Sequence, residues 1–364
     1  MKVTLQRKPF LECLELAASV ASNRAKDLYG KVRFVAHTAQ LEATDGETSI
    51  TVDCGNAVES RSAGIVLLDP KRTVAIFKES RGDSITLDAQ KKGLVLLTSE
   101  GQYTLPAEDP EVFPDIDSID GDDVMVHAQD LLTALSLTTF AVDSNATRFQ
   151  LNGVLVDISP DEVNVVATDG RRLSSVVVPL SEETPNPEAS ASIVPCKPLA
   201  LVAKTLTGSS DPCKIRATKN AISFQVGGIT IKSQLIDGKY PVWRSVIPNQ
   251  DNCERIELNA GDFSQAVKQA AIVTSPDSNG VVFYFSQDNC GIAARTAEIG
   301  ESEVNLPITF TGSLKLTVDH RFVADWVGRL PKDEKIEMVI KNPKSPVVFT
   351  WGLATYVIMP MEKS

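Results

Sequence analysis

The sequence predicts an α+β fold of antiparallel sheet with packed helices, laid out as three similar segments, and three observations carry that reading. An apolar helix face occurs three times with one spacing, i, i+4, i+7, i+10: Phe10, Leu14, Ala17 and Val20; Leu131, Leu135, Thr138 and Ala141; Phe263, Val267, Ala270 and Val273. Each face is followed by alternating runs that read as paired strands, at Val32–Val52, Leu151–Val178 and Val281–Leu306. A second helix then enters from a strand, and further strands close the segment, so strands do not alternate singly with helices as parallel winding requires.

The second helices begin at similar junctions. Leu67-Leu68-Asp69-Pro70-Lys71-Arg72 leads into Thr73–Glu79, Ile193-Val194-Pro195-Cys196-Lys197 into Pro198–Leu206, and Leu316-Thr317-Val318-Asp319-His320 into Arg321–Leu330. Proline suits a first helical turn, where its missing N–H has no partner to lose. Closing strands follow at Ile85–Leu105, Ile215–Leu235 and Ile336–Met359, and Gly227-Gly228 reads as a hairpin turn. Polar, turn-rich stretches near Ser118–Asp122 and Pro248–Asn252 divide the chain into domains 1–121, 122–250 and 251–364.

Composition narrows the function. With 364 residues the chain exceeds one core, and 43% apolar with 23% charged residues is ordinary globular usage. No apolar run approaches the roughly 20 residues that span a bilayer, and Met1–Phe10 alternates like a strand, so the expected location is the cytoplasm with no membrane partner. A net charge of −11 argues against a protein that coats nucleic acid, though a basic stripe can lie on an acidic body.

Catalytic chemistry has no foothold here. Cys13, Cys54, Cys196, Cys213, Cys253 and Cys290 are scattered without a CxxC pair, so no metal site is expected. His37, His127 and His320 occupy unrelated places in the repeat, and no Walker or dinucleotide motif follows a strand. No catalytic residue, metal or cofactor is expected.

The sharpest local signal is Val163–Val178, two alternating runs around Thr168-Asp169-Gly170, where Asp-Gly tolerates the positive φ of a tight turn. A weaker copy stands at Thr44-Asp45-Gly46, but Arg171-Arg172-Leu173 has no counterpart there, and the third segment carries Ala293-Ala294-Arg295-Thr296 instead. The turn therefore belongs to the scaffold, and the residues after it to a function.

Four stretches in register carry a resemblance: Leu151-Asn152-Gly153-Val154-Leu155, Ala167 to Leu173, Asp237-Gly238-Lys239-Tyr240-Pro241, and Tyr356-Val357-Ile358-Met359-Pro360-Met361. The chain resembles, from end to end, the β subunits of bacterial DNA polymerase III, the sliding clamps. The resemblance implies a non-enzymatic processivity factor: three DNA-clamp domains per chain, two chains closing head to tail into a homodimeric ring, and helices lining the hole. Its partners would be double-stranded DNA, a second copy of itself, and the polymerase III α subunit, clamp loader, other polymerases and repair proteins carrying short linear motifs. A sliding protein contacts phosphate rather than bases.

By the same resemblance a partner-peptide pocket combines Leu151, Thr168, Gly170, Arg171, Arg172 and Leu173 with Pro241, Val246, Val357, Met359, Pro360 and Met361. Methionines and proline give an adaptable apolar groove, and the arginines can engage a peptide's carboxylate or carbonyls. DNA would face Arg24, which matches a DNA-contacting arginine of the family, with Arg72, Arg148, Phe149 and Lys197. At the ring seam Tyr103 and Leu105 would meet Ile272 and Val273, with Glu298, Glu301 and Glu303 opposite Lys71 and Arg72.

Ser245, Lys344, Pro346 and Glu362 depart from the best-known clamps and bear on peptide preference. The lesser alternative for Met359 and Met361 is that they are simply the last strand's core. Two other functions stand beside the clamp: a monomeric repeat-built adaptor, and a hydrolase built on Asp169, Arg171 and Arg172 with a metal.

Overall fold

The computed structural model describes residues 1–21, 28–59, 63–90, 93–143, 148–184, 186–275 and 279–361. Its first third runs β1 (Lys2–Gln6), α1 (Arg7–Ala18), β2 (Val32–Val35), β3 (Gln40–Thr44), β4 (Thr48–Asp53), β5 (Ile65–Leu68), α2 (Pro70–Glu79), β6 (Ser84–Gln90), β7 (Gly93–Leu97) and β8 (Gln102–Leu105). The middle third runs β9 (Val124–Val126), α3 (Ala128–Thr138), β10 (Gly153–Ile158), β11 (Glu162–Thr168), β12 (Arg172–Pro179), β13 (Ser190–Pro195), α4 (Cys196–Leu206), β14 (Cys213–Ala217), β15 (Ala221–Val226) and β16 (Ile229–Gln234). The last runs β17 (Glu254–Asn259), α5 (Ala260–Ala270), β18 (Gly280–Ser286), β19 (Asn289–Thr296), β20 (Gly300–Pro307), β21 (Leu314–Asp319), α6 (His320–Val327), β22 (Lys335–Ile340), β23 (Val347–Trp351) and β24 (Ala354–Ile358). One order, strand, helix, four strands, helix, three strands, thus recurs three times.

Helix starts follow from local chemistry. The Asp69 carboxylate accepts from the Arg72 N–H with Pro70 in the first turn, Asn259 accepts from the Asp262 N–H, and Asp319 from the Arg321 N–H. The apolar stripes are buried where the spacing demands, as at Phe10, Leu14 and Ala17 in α1 and Phe263, Val267 and Ala270 in α5. The last helix is shorter than its sequence pattern, because Gly328 caps it after Val327.

Each expected strand pair is three strands. The first turn of each triplet escapes notice because two of the three close on a non-glycine residue with positive φ, Ala39 at 58° and Asp288 at 56°. The expected turn at Gly227-Gly228 joins β15 to β16, with Gly227 at φ 54°.

The described residues cluster into two compact units. The first comprises Met1–Gln129, Ser181–Pro185 and Lys197–Leu235, and holds a four-stranded sheet, β1-β6-β7-β8, and an eight-stranded one, β5-β2-β3-β4-β16-β15-β14-β9. Phe10 of α1 packs on Phe34 and Phe77, with ring centroids 5.4 and 5.3 Å away. The second comprises Asp130–Leu180, Asn186–Cys196 and Ile236–Ser364, with an eight-stranded sheet, β13-β10-β11-β12-β24-β23-β22-β17, and a four-stranded one, β20-β19-β18-β21. Here Trp326 stacks on Tyr356 at 5.5 Å beside Phe349 and Phe263. The middle third gives four strands to each eight-stranded sheet, so continuous pairing of β4 with β16 and of β12 with β24 decides the units. All strand pairing is antiparallel among the described residues.

Candidate functional site

The hairpin of β11 and β12 is fixed by its own side chains. Gly170 takes φ 84°, the Thr168 hydroxyl donates to the Arg172 carbonyl at 2.7 Å, and the N–H groups of Arg171 and Arg172 donate to the Asp169 carboxylate at 2.9 Å each. The turn at Thr44-Asp45-Gly46 repeats this: Gly46 at φ 94°, Thr44 donating to the Thr48 carbonyl, and Glu47 and Thr48 donating to Asp45.

The two arginines after the turn diverge. Arg172 is drawn inward: its guanidinium donates to Asp169 at 2.9 Å, Asp325 at 2.6 Å and the Phe140 carbonyl at 3.0 Å, and lies against the rings of Phe140 and Phe322. Burial works against its charge, but the bond to Asp325 and the neighbouring acidic groups outweigh that and hold its pKa above the ordinary value. Arg172 is therefore half-buried and pins the turn to the neighbouring helices. Arg171 is exposed, and among the described residues its side chain has no hydrogen bond or ion pair.

Pairing of β12 with β24 sets Leu173 against Val357. Both belong to a buried apolar cluster with Leu151, Leu155, Val166, Val339 and Val348, covered by Tyr240 and Trp243. The Tyr240 hydroxyl donates to the Val166 carbonyl, and burial pushes its pKa up. Val246 and Pro241 stand exposed on the same covering segment.

Two residues beyond Val357, the chain leaves the sheet. The Met359 N–H donates to the Arg171 carbonyl at 2.9 Å and the Met361 N–H to the Thr317 carbonyl at 2.8 Å. These bonds seat Met359, Pro360 and Met361 along a cavity of about 570 Å³ completed by Leu316, Thr317, Pro343, Lys315 and Lys344. Met359 is 44% and Met361 41% exposed, so neither is the last strand's core. Lys344, singled out as a departure, lines this cavity, while Pro346 is half-buried and the Ser245 hydroxyl donates to the Val242 carbonyl.

Of the sequence-derived pocket residues, Leu151, Leu173 and Val357 are buried together in the apolar cluster. Met359, Pro360, Met361, Arg171, Pro241 and Val246 are accessible, Gly170 makes the turn, and Thr168 and Arg172 are committed to it. Missed were Leu155, Val166, Val339 and Val348, whose strand-period alternation marks a buried face but not which strands share it, and Trp243, Lys315 and Pro343, which carry no motif.

The other candidates are surface residues. Arg72 and Lys71 are exposed on the first turn of α2, and Arg148 and Phe149 are exposed before β10, Phe149 at 73%. Lys197 is exposed but ion-paired with Asp45; Arg24 and Glu362 lie outside the described residues. Tyr103 and Leu105 sit on β8, which among the described residues pairs only with β7, and Glu301 and Glu303 on β20, which among them pairs only with β19. Ile272 is 76% exposed in the turn after α5, next to half-buried Val273, and Glu298 is exposed before β20. Among the described residues no group of histidine, cysteine and carboxylate side chains is placed to hold a metal, and no helix is long and apolar enough to cross a membrane.

The fold is that of DNA sliding clamps. It superposes on the crystal structure of the DNA polymerase III subunit beta from Pseudomonas aeruginosa, with TM-score 0.91 and 23% identity, and on a DNA polymerase sliding clamp from Bacillus subtilis, with TM-score 0.92 and 20% identity, all of each chain being covered. Residues 125–242 match the family described as DNA polymerase III beta subunit, central domain, and 244–362 the C-terminal domain of the same subunit. The beta sliding clamp of Escherichia coli K12 is 27% identical over the whole of both chains, and that of Staphylococcus epidermidis RP62A 28% identical over 81% of this chain and 80% of its own. The chain belongs to the DNA polymerase III beta subunit family, the sliding clamps, which are processivity subunits and not catalysts.

Proposed function

We propose that two copies of this chain close head to tail into a ring around double-stranded DNA in the cytoplasm and tether replication and repair proteins to it. In this reading the domains are 1–121, 122–250 and 251–364, the helix faces line the hole, and Arg24, Arg72, Arg148, Phe149 and Lys197 approach phosphate. Sequence-independent contacts of this kind allow sliding. The unpaired edges β8 and β20 support the seam, since an open strand edge is a ready template for another chain. Tyr103 and Leu105 would meet Ile272 and Val273 there, with Lys71 and Arg72 facing Glu298, Glu301 and Glu303.

Clients, namely the polymerase III α subunit, the clamp loader, other polymerases and repair proteins, would bind through short linear motifs. The observation that carries this is a buried apolar cluster with Leu151, Leu173 and Val357, from which the chain runs on into an exposed Met359-Pro360-Met361 edge beside a cavity of about 570 Å³. Bulky apolar residues of a client would enter it, and Arg171 would meet the peptide's carboxylate or carbonyls. The test is peptide binding by the Pro360→Ala/Met361→Ala protein, measured with a polymerase-tail peptide: affinity falls at least about tenfold while the dimer persists. Unchanged affinity moves the groove elsewhere.

A further inference from the structure

The two eight-stranded sheets share one strand order, and their registers superimpose position by position. At the seam of the second unit, Leu173 pairs with Val357, Val357 with Val348 and Val348 with Val339. On the other side Val166 pairs with Ser175 and Leu155. At the seam of the first unit, counting from the matching Thr-Asp-Gly turn, Ser49 pairs with Lys232, Lys232 with Ser223 and Ser223 with Arg216. There Glu42 pairs with Thr51 and Arg33. The apolar positions Leu155, Val166, Leu173, Val357, Val348 and Val339 are therefore answered by Arg33, Glu42, Ser49, Lys232, Ser223 and Arg216.

This polar face is not bare. From Pro106 to Asp123 the chain has eight carboxylate side chains and no basic one, and it crosses the face. Asp115 reaches Arg33 at 3.2 Å, and Asp123 holds Arg216 and, at 2.8 Å, Lys214. The Asp117 carbonyl accepts from Lys232 at 3.2 Å, and Glu108 pairs with Lys31 at 2.7 Å. The Phe113 ring lies under the Arg33 guanidinium at 5.1 Å. A cavity of about 230 Å³ remains between strap and sheet, lined by Lys214, Arg216 and Lys232 with Thr51, Gln225 and Thr230.

We propose that this face is a second binding surface, taking acidic peptide segments where the groove takes apolar ones, and that residues 106–123 are its tethered occupant. It goes beyond the groove reading and does not depend on it. Phe113 and Ile119, 3% and 6% exposed, anchor the strap, while its ion pairs are individually weak, with Asp115 88% exposed at its side chain, so an outside carboxylate chain can compete for Lys214, Arg216 and Lys232 while the two apolar anchors stay seated. The tether competes at roughly millimolar effective concentration, which sets a modest affinity for the free protein.

The test uses the full chain and a fluorescein-labelled octa-aspartate peptide, followed by anisotropy at low ionic strength. The Asp115→Asn/Asp123→Asn protein, whose strap has lost two of its three ion-paired carboxylates, binds about tenfold tighter than the unaltered protein, and Arg216→Gln/Lys232→Gln binds at least about tenfold weaker. Lys232→Gln alone gives the weakening if the double variant does not fold. Peptide binding that ignores the Lys232 substitution, that is abolished instead by Arg72→Gln, or that fails to strengthen in the Asp115/Asp123 variant overturns the proposal. So does the absence of binding by every one of these proteins.

Discussion

Arg171 and Arg172 are neighbours in sequence with opposite tasks, and the difference is one of desolvation. The Arg172 side chain is 10% exposed and bound to two carboxylates and a carbonyl, so its removal leaves Asp169 and the Phe140 carbonyl short of a donor in a half-dry site. Arg172→Ala is expected to lose about 2–3 kcal/mol in urea unfolding. Arg171→Ala is expected to stay within about 0.5 kcal/mol and to weaken peptide binding instead. A stability loss shared equally by both would contradict this division. Carboxylates at the other turn supply a pH dependence. Burial pushes the Asp45 pKa up, but the Lys197 ammonium and the Thr48 and Glu47 N–H groups pull it below the ordinary 3.8. Arg216 and Lys214 likewise lower that of Asp123. A carboxylate depressed in the folded state contributes stability that is complete above the unfolded pKa and is lost as pH falls through the folded one. Unfolding midpoints should therefore hold down to about pH 4 and fall below it, and Lys197→Gln should make that fall shallower.

At the scale of elements, the hairpins are decided by one or two residues and the sheets by many. Gly170 has φ 84° with open space around it, so Gly170→Ala meets only backbone strain, about 1 kcal/mol. Gly153, at the start of β10, is different: an added Cβ would stand 2.8 Å from the Val194 carbonyl oxygen and from Ile236. A backbone carbonyl inside a ladder cannot step aside, so Gly153→Ala should cost about 2–3 kcal/mol and disturb the β10–β13 pairing. Thermal unfolding of the two variants ranks them, and a larger loss at Gly170 would overturn the ranking. The helices and the Thr-Asp-Gly turns are legible in sequence because they depend on residues within a few positions of one another: a stripe, a cap, a glycine. The first turn of each strand triplet is not, since Ala39 and Asp288 adopt positive φ without the glycine that announces it. The buried apolar cluster under Tyr240 and Trp243 is legible only in part. Leu173 and Val357 stand in recognisable stretches, but Val339 and Val348 join them through strand pairings far along the chain.

At the scale of the whole molecule, the proposed ring makes two demands that a monomeric adaptor does not. The protein should have the mass of two chains at micromolar concentration, and after loading it should stay on closed circular DNA and leave when the circle is cut. A single-chain mass, or equal retention on linear and circular DNA, would count against encirclement. The acidic whole is compatible with this, because what slides needs only a basic lining, and weak phosphate contacts screened by water hold no register.

The sequence by itself determined the threefold recurrence of helices and strands, the Thr-Asp-Gly turns, the absence of a recognisable catalytic motif and, through four stretches in register, the family. Those properties rest on local geometry: the period of apolar residues, the φ of glycine, the chemistry of caps. Only the tertiary structure decided that Arg172 is a half-buried pin while Arg171 is exposed, and that Met359 and Met361 line a cavity rather than fill a core. It alone revealed that the seam of β4 with β16 repeats the register of β12 with β24 in charged and polar residues under an acidic strap. Burial and charge pairing are properties of strands brought together from distant parts of the chain, and no window of sequence contains both partners.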